Sequence, residues 1–417
     1  MWLPSIFAFG RSALGRNLRL RAPTKARRSP RLNLEQLEDR TLLSSYTAGS
    51  VSDLIADINA ANRAGGTNTI TLTAPTTSPY ILTAVDNKTD GPTGLPVISG
   101  GNKADNLTIV GNGDTIERST ASGTPDLRLL DVASGASLTL NNLTLQNGYE
   151  LGSGSSAEGG AIFNQGTLVL SAVTVQNNGA VGSAGKDGTN KDNAGAGADA
   201  AGGGIWSSGS LTCENGTVIQ GSNFAAGGNG GNAAQVQGAH GGNGGNAFGG
   251  GVDIAGGTAS LAGTTLSGNV ALGGQGGAGV NGFDGCCVAG SGGIGGNAEG
   301  GAVYVASGSA TLSGDTLENN TVYAGVSSFA PRLSAGLGGG IYVAAGIATL
   351  CNDTIESNSA TVAGSGGFGA GGGIYIVSGA TVYIDSFTVT NTINNTDSWG
   401  LNSSTANIDG TYILQNC

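Results

Sequence analysis

The feature of this sequence that most constrains its fold is a glycine-led motif that returns six times. Each copy opens with a Gly pair, followed by Gly or Ala, then Ile or Val, then in five cases an aromatic residue. The copies occupy 159–163, 202–206, 249–253, 300–304, 338–342 and 371–375. A repeat that returns every 33 to 51 residues is typical of a solenoid, because each unit can bury its apolar face only against its neighbours.

The variation in repeat length is confined to one part of each unit. From the Ile or Val of the motif to a following Asn the distance stays at 16 to 18 residues. The variation in length lies between that Asn and the next Gly pair. The constant part shows short stretches in which apolar and small polar residues alternate. This pattern predicts a coil of three short strands with a variable insertion at one corner.

Three columns of aliphatic residues predict three walls of one interior. The first column is Ile162, Ile205, Val252, Val303, Ile341 and Ile374. The second is Leu140, Leu170, Cys213, Leu261, Leu312, Leu350 and Ile384. The third is Leu145, Val175, Val218, Leu266, Leu317, Ile355 and Val389. A turn residue recurring as Asn178, Asn269, Asn320 and Asn358 predicts an amide ladder with left-handed backbone at the turn. We therefore expect an all-β fold, a right-handed parallel β-helix of about ten coils.

The repeat resembles the G-G-A-I-Y…T-V-x-x-N repeats of polymorphic outer-membrane proteins and related β-helix surface proteins. The resemblance covers residues 159–392, and weaker coils occur at 106–117, 137–147 and 405–416. It implies an adhesin-like surface role. The family's membrane-anchoring barrel would need about eight or more further strands, so we expect either that this is not a self-inserting autotransporter or that the sequence is a fragment.

One end of the predicted solenoid carries a capping segment. Leu54, Ile55, Ile58 and Ala61 share one helical face within residues 52–64, and Gly65-Gly66 stops the helix. We expect this short helix to cover the first coil. No comparable segment follows the last coil, so we expect the uncapped C-terminal end to allow oligomerisation.

Charge separates residues 1–45 from the body, residues 46–417. Residues 1–45 hold nine of the 17 Lys and Arg and three acidic residues, giving +6, whereas the remaining 372 carry −17. Residues 34–44, L-E-Q-L-E-D-R-T-L-L-S, resemble the planctomycete extracellular N-terminal domain, which implies export to the cell surface or beyond. An acidic body disfavours nucleic acid as a partner. No 18-residue apolar run predicts a transmembrane segment.

The insertions contribute many of the chain's 79 glycines and contain G-G-x-G-G-N-A at 227–233, 241–247 and 292–298. Three interpretations are open. The insertions form a flexible hydrated fringe, or packed polyglycine strands, or calcium loops, although the Asp of Gly-rich calcium repeats is missing. We expect the fringe, and no cofactor.

The residue after the first-column aliphatic is aromatic in five of six repeats. These residues are Phe163, Trp206, Tyr304, Tyr342 and Tyr375, and the sixth position is Asp253. Two-residue alternation places them on the outer surface, where a row of rings can stack on the sugars of an extracellular polysaccharide. The competing interpretation is that insertions cover the rings or that the rings stack on each other.

Acidic residues recur at equal positions in two successive coils. Asp315 and Asp353 form one pair, and Glu318 and Glu356 form another, each about 5 Å apart if the coils stack. That is the carboxylate separation of a retaining glycosidase. However, G-D-T and N-D-T are also turn sequences, in which Asp bonds its own backbone. The only His, His240, lies in a Gly-rich insertion, and we expect it to be solvated.

Three functions compete. The first, which we expect, is a non-enzymatic exported surface or matrix protein that contacts carbohydrate or cells. The second is a β-helix polysaccharide lyase or glycoside hydrolase, which requires acids and a base converging on one groove. The sequence does not assemble such a catalytic group, since Arg332 is the only Arg after Arg128. The third is a purely structural envelope spacer.

Overall fold

The computed structural model of the protein describes residues 44–99, 105–189, 193–234, 238–280, 290–328, 334–362, 367–398, 400–401 and 405–417. These residues form a right-handed parallel β-helix, which confirms the predicted fold class. Of the basic leader, residues 1–43 lie outside the described part of the chain. Ser44 and Ser45 already belong to the first strand, which pairs with 68–72.

Each full coil contains five short strands, two more than the three that the sequence predicts, and the coils stack into five sheets. We number the sheets in the order in which each repeat visits them, beginning with the strand that follows the Gly pair. Sheet 1 comprises Leu130–Val132, Ile162–Asn164, Ile205–Ser207, Val252–Ile254, Val303–Val305, Ile341–Val343, Ile374–Ile376 and Ile408–Asp409. Sheet 2 comprises Ser44–Ala48, Gly66–Leu72, Asp105–Val110, Ser137–Asn141, Thr167–Ser171, Ser210–Glu214, Thr258–Ala262, Ser309–Ser313, Ile347–Cys351, Thr381–Asp385 and Ile413–Gln415.

The other three sheets complete the coil. Sheet 3 comprises Tyr80–Leu82, Thr115–Arg118, Thr144–Gln146, Thr174–Gln176, Val218–Gln220, Thr265–Ser267, Thr316–Glu318, Thr354–Glu356 and Thr392–Ile393. Sheet 4 comprises Tyr149–Leu151, Gly179–Val181, Phe224–Ala226, Val270–Leu272, Thr321–Ala324, Ser359–Val362, Thr396–Asp397 and Gly400–Leu401. Sheet 5 comprises Ala157–Glu158, Ala200–Ala201, Ala247–Phe248, Ala298–Glu299, Ala335–Leu337 and Phe368–Ala370. Two α-helices, α1 (Val51–Ala64) and α2 (Ser386–Thr390), are described.

The first two aliphatic columns stack in register and line the core as predicted. The third column differs at two positions. The turn before Val218 holds an extra left-handed residue, Gly216 (φ 75°), so the strand is shifted by one place. Ile219 therefore faces the core, and Val218 faces outward. Val389 lies in α2, and Thr392 takes its place in sheet 3.

An amide ladder fills the turn between sheets 3 and 4. Asn320 Oδ1 accepts from the backbone N–H of Asn269 at 3.0 Å and from its Nδ2 at 2.9 Å. Asn320 Nδ2 in turn donates to the Asn358 Oδ1 at 2.9 Å. The ladder is Asn178, Asn223, Asn269, Asn320, Asn358, Asn395 and Asn407. The predicted ladder is confirmed, but the left-handed residue is the one before it, such as Asn319 (φ 55°).

Helix α1 caps the first coils. The Ser50 hydroxyl accepts from the backbone N–H of Asp53 at 3.2 Å, which begins the helix, and Gly65 (φ 61°) ends it. Leu54, Ile58 and Ala61 are buried against the start of the core. This confirms the predicted capping helix.

The Gly pair of each motif makes a tight corner between sheet 5 and sheet 1. The first glycine of every pair has a φ between 58° and 70°. A Cβ at Gly202 would lie 2.3 Å from the carbonyl oxygen of Ile205. Only glycine fits this corner, and the corner brings sheet 5 close to the outward residues of sheet 1.

The described part of the chain contains one disulfide and one free cysteine. Cys351 and Cys417 form a disulfide that ties the last strand of sheet 2 to the strand Ile347–Cys351. Cys213 is a buried free thiol, with its pKa raised by burial. The pair Cys286 and Cys287 lies outside the described residues. Of the helices described, none combines the length and apolar character that crossing a membrane requires.

Candidate functional site

The outward position at the middle of sheet 1 forms one continuous row along the solenoid axis, which we call the aromatic row. Its members pair coil by coil, so each side chain lies directly above the next. They are Asp131, Phe163, Trp206, Asp253, Tyr304, Tyr342, Tyr375 and Asp409. The alignment that the sequence predicts for the five aromatic residues is therefore present.

The rings of the aromatic row stack on each other. Phe163 and Trp206 lie 4.4 Å apart and nearly parallel. Tyr342 lies 5.2 Å from Tyr304 and 5.4 Å from Tyr375, also nearly parallel. Because the ring faces point along the axis, they contact neighbouring side chains. A sugar that approaches from outside would meet ring edges rather than faces.

Burial in the aromatic row is uneven. Phe163 and Tyr342 are only 5% and 8% exposed, whereas Trp206, Tyr304 and Tyr375 are half-buried. The geometry fits the competing interpretation, in which ring-on-ring stacking steadies the coils. Sugar binding by these five residues stays a prediction.

Sheet 5 forms a second wall against the aromatic row and carries functional groups that the sequence interpretation missed. Phe248 contacts Tyr304, with ring centroids 4.9 Å apart, and burial, followed by the charge of Glu299, raises the pKa of the Tyr342 hydroxyl. Burial raises the pKa of Glu299 to about 7. The signal was the Ala-Glu or Ala-Phe dipeptide before several Gly pairs, which continues the inward–outward alternation backwards across the corner.

Asp253 takes the place of a ring in the aromatic row. It is 4% exposed, and its Oδ1 has no hydrogen-bond partner among the described residues. Burial, and next the charge of Glu158, raise the pKa of Asp253 well above its ordinary value. Burial therefore favours the neutral form of the Asp253 carboxyl group.

The two predicted aspartates lie at the turn between sheets 2 and 3, where both are buried. Asp353 accepts from the backbone N–H of Asp315 at 2.8 Å and of Cys351 at 2.9 Å. Asp315 accepts from Thr264 and Ser313 in the same way. Burial raises the pKa of Asp315 to about 6 and that of Asp353 to about 7. These carboxylates cap turns, because both of their oxygens already accept backbone N–H groups.

The glutamates Glu318 and Glu356 lie elsewhere, paired on the outward side of sheet 3. The Asp pair and the Glu pair do not share a pocket that the structure shows. Outward positions of sheets 3 and 2 carry hydroxyls in register, and we call the sheet 3 column the hydroxyl face. On sheet 3 they are Thr115, Thr144, Thr174, Thr265, Thr316 and Thr354, with Val218 between. On sheet 2 they are Thr108, Thr139, Thr212, Ser260, Thr311 and Thr349, with Val169 between.

The Gly-rich insertions run out from sheet 4 and back to sheet 5 as packed segments, which we call the Gly-rich arms. The described arms are 182–189, 193–199, 227–234, 238–246, 273–280 and 290–297. Gly227 donates to the carbonyl of Leu272 in the next coil, and Gly228 donates to Ala198 in the previous one, both at 2.8 Å. The pattern repeats after three residues, at Gly230 and Gly231. Three residues is the period of the polyproline II helix.

Asparagine is the third residue of several triplets of the arms, where its side chain accepts a backbone N–H of the next arm. The backbone N–H of Gln275 donates to Asn229 Oδ1 at 2.8 Å, and that of Ala278 donates to Asn232 Oδ1 at 3.0 Å. A Cβ at Gly228 would lie 2.0 Å from the carbonyl oxygen of Ser183. The expected flexible fringe is therefore wrong for the described arms, and the packed polyglycine interpretation is confirmed.

The hydrogen bonds between the arms also test the calcium-loop interpretation and the expectation for His240. The Asn oxygens that calcium would need already accept backbone N–H groups. Among the described residues, no group of three or more His, Cys, Asp or Glu is placed to hold a metal ion. His240 Nδ1 accepts from the backbone N–H of Ser291 at 3.0 Å, so it takes the role that Asn has elsewhere. His240 is exposed, as expected, and its hydrogen bond to Ser291 is an additional role that the sequence did not predict.

Comparisons with known proteins give this chain no relative. No family model, no curated protein and no solved structure matches it.

Proposed function

We propose that this protein is exported, acts without catalysis at the cell surface or in the extracellular matrix, and binds ordered polysaccharide through the hydroxyl face. The observation that carries the proposal is the register of the threonines. Six of seven successive coils place Thr at one outward position of sheet 3, half-exposed and about 4.8 Å from the next.

The chemistry of threonine supports a polysaccharide ligand. Each hydroxyl both donates and accepts a hydrogen bond, as sugar hydroxyls do. Each methyl group offers a small apolar contact beside the hydroxyl. A ligand with its own regular spacing along one axis can meet several coils at once, so weak single contacts add through multivalency.

A non-enzymatic role is favoured by what the polar side chains do. Asp315, Asp353 and the Asn ladder hydrogen-bond the backbone of the neighbouring coil. These groups stabilise the stacking of the coils and are not positioned above a groove. Export is supported by the resemblance of residues 34–44, and by the disulfide between Cys351 and Cys417, which is typical of oxidising compartments.

The test is co-sedimentation of the full chain with insoluble cellulose and chitin. A triple variant, Thr265→Val, Thr316→Val and Thr354→Val, removes three hydroxyls and keeps the branched shape. The chain itself tolerates valine in this column at Val218. We expect binding to weaken about tenfold or more, because three net hydrogen bonds are lost and each contributes about 0.5–1.5 kcal/mol. The melting temperature should not change.

The matched control is Tyr323→Lys, at an outward position of sheet 4 that is 45% exposed, and it should bind like the wild type. Two results would contradict the proposal. Neither fibre binds the wild-type chain, as expected of a purely structural spacer, or soluble sugars are released from the fibre, as expected of a lyase or hydrolase.

A further inference from the structure

A pocket of about 430 Å³ opens beside the first coil of sheets 4 and 5. Its walls come from the loop at 90–92, from the strand Tyr149–Leu151, and from the segment leading to Glu158. Arg128, Glu150 and Glu158 line it, and Ser153 and Ser155 stand on its exposed rim. Its volume lies within the range of small-ligand sites in proteins.

Glu150 breaks the pattern of its sheet. The five strands that follow Tyr149–Leu151 in sheet 4 carry a small apolar residue at the inward position where Glu150 has a carboxylate, and an acidic residue returns there only in the last coil, as Asp397. The five apolar residues are Ala180, Ala225, Ala271, Val322 and Ala360. A carboxylate costs free energy where the repeat elsewhere buries a methyl group. Local departures from a fold's own rules are expected at functional sites.

Arg128 holds the pocket in shape. It is 1% exposed, and its guanidinium donates to the carbonyl oxygens of Asp90 at 2.5 Å and Glu158 at 2.8 Å. It also lies 3.5 Å from Glu150 Oε1 and covers one face of the Phe163 ring at 4.9 Å. The pocket therefore adjoins the first ring of the aromatic row.

The pair leaves hydrogen-bonding capacity unused. Glu150 is 6% exposed, and its Oε2 has no hydrogen-bond partner in the described part of the chain. Both carboxylate oxygens of Asp131, which pairs with Phe163 in sheet 1, also have no hydrogen-bond partner among the described residues. A buried acceptor without a partner costs about 1–3 kcal/mol or more. A ligand that donates to Glu150 would recover part of that cost.

Gly91 lets the loop approach the pair. Its φ is +116°, and a Cβ there would lie 2.8 Å from Glu150 Oε1 and 3.2 Å from an Arg128 nitrogen. Any larger residue would press on the buried pair from the pocket side. Glycine keeps this space open.

The charges around the pocket select the ligand. One cation, Arg128, faces the carboxylates of Glu150, Glu158, Asp131 and Asp90. An ionised carboxylate only accepts hydrogen bonds, so above the pKa of Glu150, which burial raises to about 7, the ligand must bring donors and an anion is disfavoured. Serine hydroxyls on the rim and the exposed Leu151 side chain add polar and apolar contacts. This set of contacts matches a neutral or amino sugar residue and not a uronate.

We propose that this pocket binds one donor-rich sugar residue of a glycan, with Glu150 as the acceptor that determines specificity. The inference deepens the proposed function and rests on it for the ligand class. It uses a different site from the hydroxyl face. The two proposals can therefore fail separately.

The test is calorimetric titration of the full chain with three soluble tetrasaccharides: cellotetraose, the glucosamine tetramer and tetragalacturonate. Glu150→Gln removes the charge and keeps the shape. We expect the wild type to bind cellotetraose or the glucosamine tetramer, with the better ligand showing whether a hydroxyl or an ammonium group is preferred. Glu150→Gln should weaken that binding by roughly tenfold or more.

Controls separate the pocket from the rest of the surface. Glu318→Gln, outward on sheet 3, should bind the tetrasaccharides normally. If Glu150→Gln does not fold, Ser153→Trp blocks the rim without touching the buried pair and should abolish binding. Fibre co-sedimentation should persist in both pocket variants. The pocket proposal is overturned if the wild type binds neither preferred sugar, if Glu150→Gln or Ser153→Trp binds like the wild type, or if tetragalacturonate binds best.

Discussion

Tyr342 illustrates how a single outward side chain is packed against its neighbours in this β-helix. Two-residue alternation in the sequence places it outward, and the structure agrees. The same alternation cannot reveal that rings above and below cover both of its faces, or that the charge of Glu299 acts on its hydroxyl. Those contacts depend on coil spacing and on the Gly corner, which folds sheet 5 across the row. The outward direction could be predicted from the sequence, but the exposure could not.

Replacing Tyr342 with alanine is expected to destabilise the protein by at least about 3 kcal/mol. The variant loses two ring contacts, each contributing about 0.5–1.5 kcal/mol, and leaves a cavity at a buried site. The measurement is chemical unfolding followed by circular dichroism. Tyr323→Ala, at a side chain 45% exposed, is the control and should change stability little. A fully stable Tyr342→Ala variant that loses fibre binding would instead support the aromatic row as the sugar site.

At the scale of elements, the strands of sheets 1 to 3 could be predicted, because their alternation and columns repeat at fixed spacing. The Gly-rich arms could not, since glycine carries no side chain whose pattern shows burial. The signal was present in the triplet G-G-N: two glycines that each permit a close backbone neighbour, and an Asn whose amide oxygen accepts the third N–H. That role becomes visible only when the arms of adjacent coils are side by side.

Gly245→Ala tests whether the arms are packed. A Cβ at Gly245 would lie 2.0 Å from the carbonyl oxygen of Ala198, so the backbones of two arms must separate. We expect a loss of at least about 2 kcal/mol in thermal or chemical unfolding. Gly256→Ala is the matched control, because its nearest neighbours would be 3.6 Å from the new Cβ. Equal stability of the two variants would contradict close packing of the arms.

Across the whole molecule, buried carboxylates make stability depend on pH. Burial raises the pKa of five described groups to between about 6 and about 7: Asp131, Glu150, Glu299, Asp315 and Asp353. Their ordinary values are 3.8 for Asp and 4.5 for Glu. Between these limits the folded protein binds more protons than the unfolded chain, so stability falls as pH rises through this window.

We therefore expect the melting temperature to fall by several degrees between pH 5 and pH 8. Asp385 acts in the opposite direction but only in more acidic solution: burial tends to raise its pKa, and hydrogen bonds from Thr388 and Asn352 outweigh this and lower it. The measurement is thermal unfolding by circular dichroism in a constant-ionic-strength buffer series. Glu299→Gln should flatten part of the slope. A melting temperature that rises from pH 5 to pH 8 would show that these carboxylates are not buried as described.

The central claim is that the coils and the Gly-rich arms form one continuous hydrogen-bonded β-helix. Hydrogen–deuterium exchange with mass spectrometry tests it most directly. The account predicts that the hydrogen-bonded amides in 227–234 and 238–246 exchange as slowly as those in the strands Thr258–Ala262 and Ser309–Ser313, because most arm N–H groups have a partner in an adjacent arm. Exchange of the arms at the rate of an unstructured peptide, with the strands still protected, would contradict it.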